Sequence, residues 1–333
     1  MRQLCAASML FLSASLAAHS QATLQSVNLV QPTGKGRTVL PLSADRKWQR
    51  VTYMPPSDFS GGGPIITLHD LTANLEVIYT LTSNSTHSAK DCLDKAMNKD
   101  EASFATGSGR AEIKQGSKSE DKNASGQPLL VGSYLITSMN GVKASTQHVY
   151  GVVASRDACA EIHIAKTDYT AADDTAIQTA LKTINFDADY APANADYVLM
   201  AALLNQLARG MGSAPYYQRA LDTLPADAPK DTRRGLIDQL SMAYARNREA
   251  DKAKPINEAA IKTDADYPMY YYNLARIDAD DERAKDAQAH LQQAWDRKAN
   301  LPAGQQMPDP TRDPSFQKLK TKSDFWTYVQ SLK

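Results

Sequence analysis

Apolar and polar residues follow two different periods along this chain. From about Asn28 to Phe186 they alternate, or gather in short β-branched runs, at Arg50–Tyr53, Ile65–His69, Leu75–Leu81, Ala111–Lys114, Leu129–Ser138, Gln147–Ala154 and Ala160–Ala165. A period of two, rich in Val, Ile, Thr and Tyr, predicts half-buried strands. Turn clusters separate the runs, among them Asn84-Ser85-Thr86, Asn123-Ala124-Ser125-Gly126, Asn140-Gly141 and Ser155-Arg156-Asp157. The last two punctuate an antiparallel three-strand meander. A helix is expected at Ser88–Asn98. A second places Ala176, Ile177, Ala180, Leu181 and Ile184 on one face, with Asp173 and Asp174 in its first turn, where the helix dipole favours acids. Residues 23–188 therefore read as an α+β domain, a mixed sheet-and-helix sandwich closed by its last helix.

After Asp187-Ala188-Asp189-Tyr190-Ala191-Pro192 the alternation stops, and Ala, Leu, Tyr and Gln recur at helical spacing. Ile237, Leu240, Tyr244, Ala253 and Ala260, each displaced by 34 positions, land on Tyr271, Leu274, Asp278, Ala287 and Ala294. Four of those five positions keep an apolar or small side chain. An earlier copy carries Tyr197, Met200, Ala201, Leu204, Tyr217, Ala220 and Pro225, and residues 228–233 separate it from the next. The copies span 194–227, 234–267 and 268–301. A linker and capping helix follow at 302–333, with Phe316, Leu319, Phe325, Trp326, Val329 and Leu332 inward and Lys318, Lys320 and Lys322 toward solvent. One such hairpin cannot bury its own apolar face, so stacking and a cap are required.

These positions resemble the tetratricopeptide repeat family: a large residue, Leu, a small residue, Tyr, Ala, an aromatic, Ala and Pro across each repeat. Asn257 stands where that pattern has an aromatic, Ala265 where it has Pro, Asp278 where it has Tyr, and Ser213 where it has Ala. The resemblance implies an all-α solenoid of three helix pairs whose first helices line a groove for a peptide or protein. The residues it implies there are Val198, Ala202, Asn205 and Gln206, then Asp238, Met242 and Arg246, then Tyr272, Arg276 and Asp280. Arg246 and Arg276 suit a carboxylate or acidic peptide, and Met242 and Tyr272 suit adaptable apolar contact. The alternative is a merely solvated face. In the first half, the order of strand-rich body, Cys-bearing helix, meander and final helix is similar to the PsbP-like sandwich, which implies a second non-enzymatic, assembly-supporting module.

The first 22 residues carry one positive charge at Arg2, an apolar stretch from Leu4 to Ala18, and small residues at Ser20 and Ala22. That pattern predicts a secretory signal peptide cleaved after Ala22, hence a periplasmic or secreted protein with no later membrane segment. Cleavage removes Cys5 and leaves Cys92 and Cys159. An oxidising compartment favours pairing them across 67 residues, two separate buried thiols being the other reading. Lys plus Arg and Asp plus Glu each number 37, so the net charge is zero and no electrostatic footprint for nucleic acid exists. Asn84 and Asn123 fit glycosylation sequons.

Catalytic motifs are absent: no G-x-S-x-G, no phosphate-cradling G-x-x-x-x-G-K-[ST], no H-E-x-x-H and no C-x-x-C. His148 and His163 fall on neighbouring strands of the meander and, with Glu161, make an outside candidate for a metal site; the plainer reading is solvent-facing alternation. No cofactor is expected. The sequence is read as a non-catalytic interaction or scaffold protein. The rival reading is a hydrolase or ligand-binding N-terminal domain gathering His69, His148 or His163 in a polar pocket, with the repeats as a docking arm.

Overall fold

The computed structural model describes residues 26–31, 35–41, 50–54, 65–83, 88–106, 110–155, 158–208, 212–247 and 249–332. The expected signal peptide, Cys5 and Asn84 lie outside them. Strands β1 (Ser26–Val30), β2 (Arg37–Pro41), β3 (Arg50–Met54), β4 (Ile65–Asp70) and β5 (Leu75–Ser83) precede helix α1 (Ala89–Thr106). Strands β6 (Ala111–Lys122), β7 (Pro128–Met139), β8 (Val142–Ala154) and β9 (Ala158–Thr167) follow, then α2 (Asp174–Lys182) and β10 (Asn185–Asp187). The rest is helical: α3 (Asn194–Ala208), α4 (Ala214–Asp222), α5 (Lys230–Arg246), α6 (Ala250–Thr263), α7 (Pro268–Asp280), α8 (Ala284–Asp296), α9 (Pro314–Gln317) and α10 (Ser323–Ser331).

Seven strands form one antiparallel sheet in the order β3-β4-β5-β9-β8-β7-β6, and β1, β2 and β10 form a second, three-stranded sheet. Period-two alternation gives the large sheet two buried faces. On one, Val77, Tyr79, Leu81, Val149, Val153, Ile162 and Ile164 meet Ile177 and Leu181 of α2. On the other, Tyr134, Ile136, Tyr150 and Val152 meet Leu93 and Met97 of α1. The sulfurs of Cys92 in α1 and Cys159 in β9 sit at disulfide distance, with Cα atoms 6.6 Å apart, so the helix is tied to the sheet it covers.

The core on the α2 side does not stop at residue 188. It continues through Leu29, Val30 and Phe186 into Tyr197, Met200, Ala201 and Leu204 of α3, then Tyr216, Tyr217 and Ala220 of α4, and reaches Leu236, Leu240 and Ala243 of α5. The Tyr216 hydroxyl donates to the Val30 carbonyl at 3.0 Å. Helices α3 to α8 each pack on the next in sequence, and α5 also packs on α7. The short connections and small residues at the contacts, Ala201, Ala220, Ala243, Ala253 and Ala275 (all buried), allow that close approach.

The C-terminal segment departs from the single capping helix expected. Two short helices, α9 and α10, are separated by a turn at residues 318–322. Phe316, Leu319, Phe325 and Val329 are buried as expected, against Tyr272, Leu291 and Ala294. Lys318 pairs with Asp280 at 2.6 Å instead of simply facing water, Lys320 lies over the Trp326 ring, and Lys322 is exposed. Among the described residues no helix is long and apolar enough to cross a membrane.

Candidate functional site

Helices α3, α4 and α5 bring a polar cluster to one place. Asn205, late in α3, donates through Nδ2 to the Tyr217 hydroxyl and, at 3.4 Å, to Gln239 Oε1 on α5. Tyr217 donates to the same Gln239 oxygen at 3.5 Å. The last residue of α5, Arg246, donates to Asn205 Oδ1 at 3.2 Å. Burial pushes the Tyr217 phenol up to about 12, with Arg246 pulling the other way. Tyr217 and the amides are thus neutral hydrogen-bonding groups around one cation. Arg246 itself is exposed, and no carboxylate among the described residues pairs with it.

Around Arg276 the situation is the reverse. Arg276 Nε donates to Asp313 Oδ2 at 2.6 Å, and the Tyr272 hydroxyl donates to the same oxygen at 3.0 Å. The other oxygen, Asp313 Oδ1, accepts the Ser315 backbone N–H at 3.1 Å and so caps α9. Asp280 accepts from Ser315 Oγ at 3.2 Å and from Lys318 at 2.6 Å. Tyr272, Arg276 and Asp280, expected to face a partner, therefore all hold the chain's own C-terminal segment. The reason is geometric: α9 packs directly on α7. Tyr272 is fully buried there, which removes it as an accessible contact.

The remaining groove positions sit on α3 and α5. Ala202 is exposed, while Val198, Asp238 and Met242 are half-buried. Gln206 falls in α3, and its side chain lies outside the described residues. Asp238 accepts from Asn273 at 2.7 Å; burial holds its carboxyl above the usual range, with Asn273 and the nearby Arg276 opposing. Gln239, Tyr217, Asn273 and Asp313 were not singled out by sequence. One signal for two of them exists, since Gln239 and Asn273 follow Asn205 at successive spacings of 34 residues.

On the sheet, His148 and His163 do come together, but as a stack. Their rings contact at 3.0 Å through His148 Nδ1 and His163 Nε2, both side chains being buried. Tyr134 stacks on His148 at 4.6 Å, Tyr150 on His163 at 4.1 Å, and Phe104 meets His148 edge-on. These rings lie under α1 and do not face solvent, which corrects the plainer expectation. Glu161 shares the face of His163, yet no group of three His, Cys, Asp or Glu among the described residues is placed to hold a metal. His69 pairs with Glu76 at 3.1 Å. An open cleft of about 520 Å³ lies between the start of α1 and the β6–β7 turn, lined by Lys90, Glu120, Asp121, Lys122 and Leu130, and includes none of these histidines. The Asn123 sequon side chain is buried, donating to Gln127 and to the Ile184 carbonyl, so it is not presented for modification.

No protein-family model and no curated protein sequence matches the chain. Among solved structures, BtubC (BKLC) from P. vanneervenii is 19% identical with a TM-score of 0.32; the match covers 42% of this chain and 59% of that one. Cyanobacterial PsbP (CyanoP) from Synechocystis sp. PCC 6803 is 12% identical with a TM-score of 0.34, over 51% of this chain and 98% of that one. A protein from Bacteroides thetaiotaomicron VPI-5482 is 11% identical with a TM-score of 0.24, over 64% and 78%. Likenesses this partial carry no function across, so the site rests on its own geometry.

Proposed function

We propose that this chain is an exported, non-catalytic interaction protein whose tetratricopeptide-type helix pairs bind a peptide or protein partner presenting a carboxylate. The observation that carries this reading is Arg246. It is an exposed guanidinium with no acidic partner among the described residues, set on a neutral array of Asn205, Tyr217 and Gln239. A planar cation held by one amide keeps donors free for a carboxylate, which it can grip with two parallel hydrogen bonds. Half-buried Met242, one turn before Arg246 on the same helix, supplies adaptable apolar contact beside it. The 34-residue spacing and the succession of packed helices support the repeat assignment. The rival reading draws no support from the described residues, because its histidines are stacked beneath α1 or paired with Glu76.

The test is equilibrium binding of the full chain to an array of peptides that differ only in the number and placement of Asp and Glu. Acidic peptides bind, binding weakens with salt, and Arg246→Glu weakens it at least tenfold while the melting temperature stays put. Equal capture by wild type and Arg246→Glu would falsify the reading.

A further inference from the structure

The α7 surface shows what chemistry it selects, because the chain itself fills it. Arg276 and the Tyr272 hydroxyl converge on one oxygen of Asp313, whose side chain is only 4% exposed. Asp280 takes Ser315 and Lys318 one turn further along, and the Phe316 ring stands edge-on to Tyr272, 5.5 Å between centroids. The seat therefore reads, in order, a carboxylate, a hydroxyl and an aromatic ring, from the run Asp313-Pro314-Ser315-Phe316. Without a carboxylate it would keep a largely desolvated guanidinium unpaired, so the vacant seat discriminates strongly in favour of an acidic occupant. Residues 302–309, which lead into the segment, form no helix or strand and are mostly exposed.

We propose that this face of α7 is a second peptide seat, occupied in cis, and that an Asp-Pro-Ser-Phe segment supplied by another chain takes it when the resident segment is weakened. The inference extends the partner-binding reading to a separate place and does not depend on Arg246. A tether this short gives the resident segment an effective concentration in the millimolar range. An incoming peptide thus competes only if the cis contact loses about two orders of magnitude, which removal of a buried charge partner provides.

The experiment uses the full chain and a fluorescein-labelled peptide of residues 309–322. In anisotropy titrations, Asp313→Ala binds this peptide at least tenfold tighter than wild type. The gain disappears when Arg276→Ala is added, and also when the peptide carries Asn in place of Asp313. Asp313→Asn, which keeps the shape and the α9 cap, serves in place of Asp313→Ala if the latter loses its far-UV spectrum. Either folded variant binding no tighter than wild type, or binding the Asn peptide equally well, overturns the proposal. Because capture of acidic peptides at Arg246 is a separate measurement, the two readings fail independently.

Discussion

At the scale of single residues, two carboxylates in the helical half respond to pH in opposite directions. Asp238 is held above its usual range chiefly by burial, so its ionised form is penalised in the folded state. The folded protein binds that proton more tightly than the unfolded chain, and stability falls as pH rises above about 4. Asp238→Asn, whose carbonyl still accepts from Asn273, is expected to be neutral or stabilising at pH 7, with the gain fading as pH falls toward 4; urea titrations at both pH values check this. Asp264 behaves the other way. Burial raises its carboxyl, but bidentate Arg234 (2.7 and 3.0 Å) and Lys230 more than offset that and bring it below the usual range. Its stability contribution is present above about pH 4 and is lost as pH falls through the folded-state value. Asp264→Asn should destabilise by about 2 kcal/mol at pH 7 and by much less in acid, read from the same titrations. The family resemblance pointed to Arg246 and Asn205 but not to Gln239, which accepts from Asn205 and Tyr217, because amides carry no hydrophobic period. Asp313 was invisible for another reason, since its partner Arg276 lies 37 positions away across an irregular segment.

At the scale of elements, the sheet was legible where one face is apolar and obscure where neither is. β4, β5, β7, β8 and β9 were expected within a few residues of their ends. β6 was expected only to Lys114, since Gln115 to Lys122 is exposed on both faces and is held by its ladder to β7 and by polar side-chain contacts, which leave no hydrophobic alternation. β1, β2 and the three-residue β10 were missed because all three are short, and β10 joins β2 only across nearly the whole domain. Helix α1 overran its expected end to reach Phe104, whose only periodic cue is one ring against His148. Its placement makes two predictions. Reducing the Cys92–Cys159 pair, or replacing both by Ser, removes a 67-residue closure worth about 4 kcal/mol and should lower the melting temperature clearly. Gly132→Ala should cost about 1–3 kcal/mol in chemical denaturation, since a methyl there meets Met97 Sδ at 2.5 Å and Leu93 at 3.2 Å beneath a tied helix.

At the scale of the whole molecule, the change of period at 187–192 is a change of secondary structure within one continuous core. Strand alternation and helical spacing both describe local burial. Neither reports that Tyr197, Met200 and Tyr216 bury their side chains against the sheet. Tyr216→Phe should cost about 1 kcal/mol through loss of the buried hydrogen bond to the Val30 carbonyl. Sheet and helices α3 to α5 should still lose structure together, with near-UV and far-UV transitions coinciding in urea. The last helices have a core of their own, and two of the three tryptophans are in it. Trp295 donates its indole N–H to the Leu332 carbonyl at 3.1 Å, and Trp326 rides on α10 itself. Emission from this protein is therefore a spectroscopic gauge of how the C-terminal segment is seated. Lifting that segment would shift the tryptophan maximum to the red while leaving the β-sheet signal in circular dichroism unchanged, with no label attached.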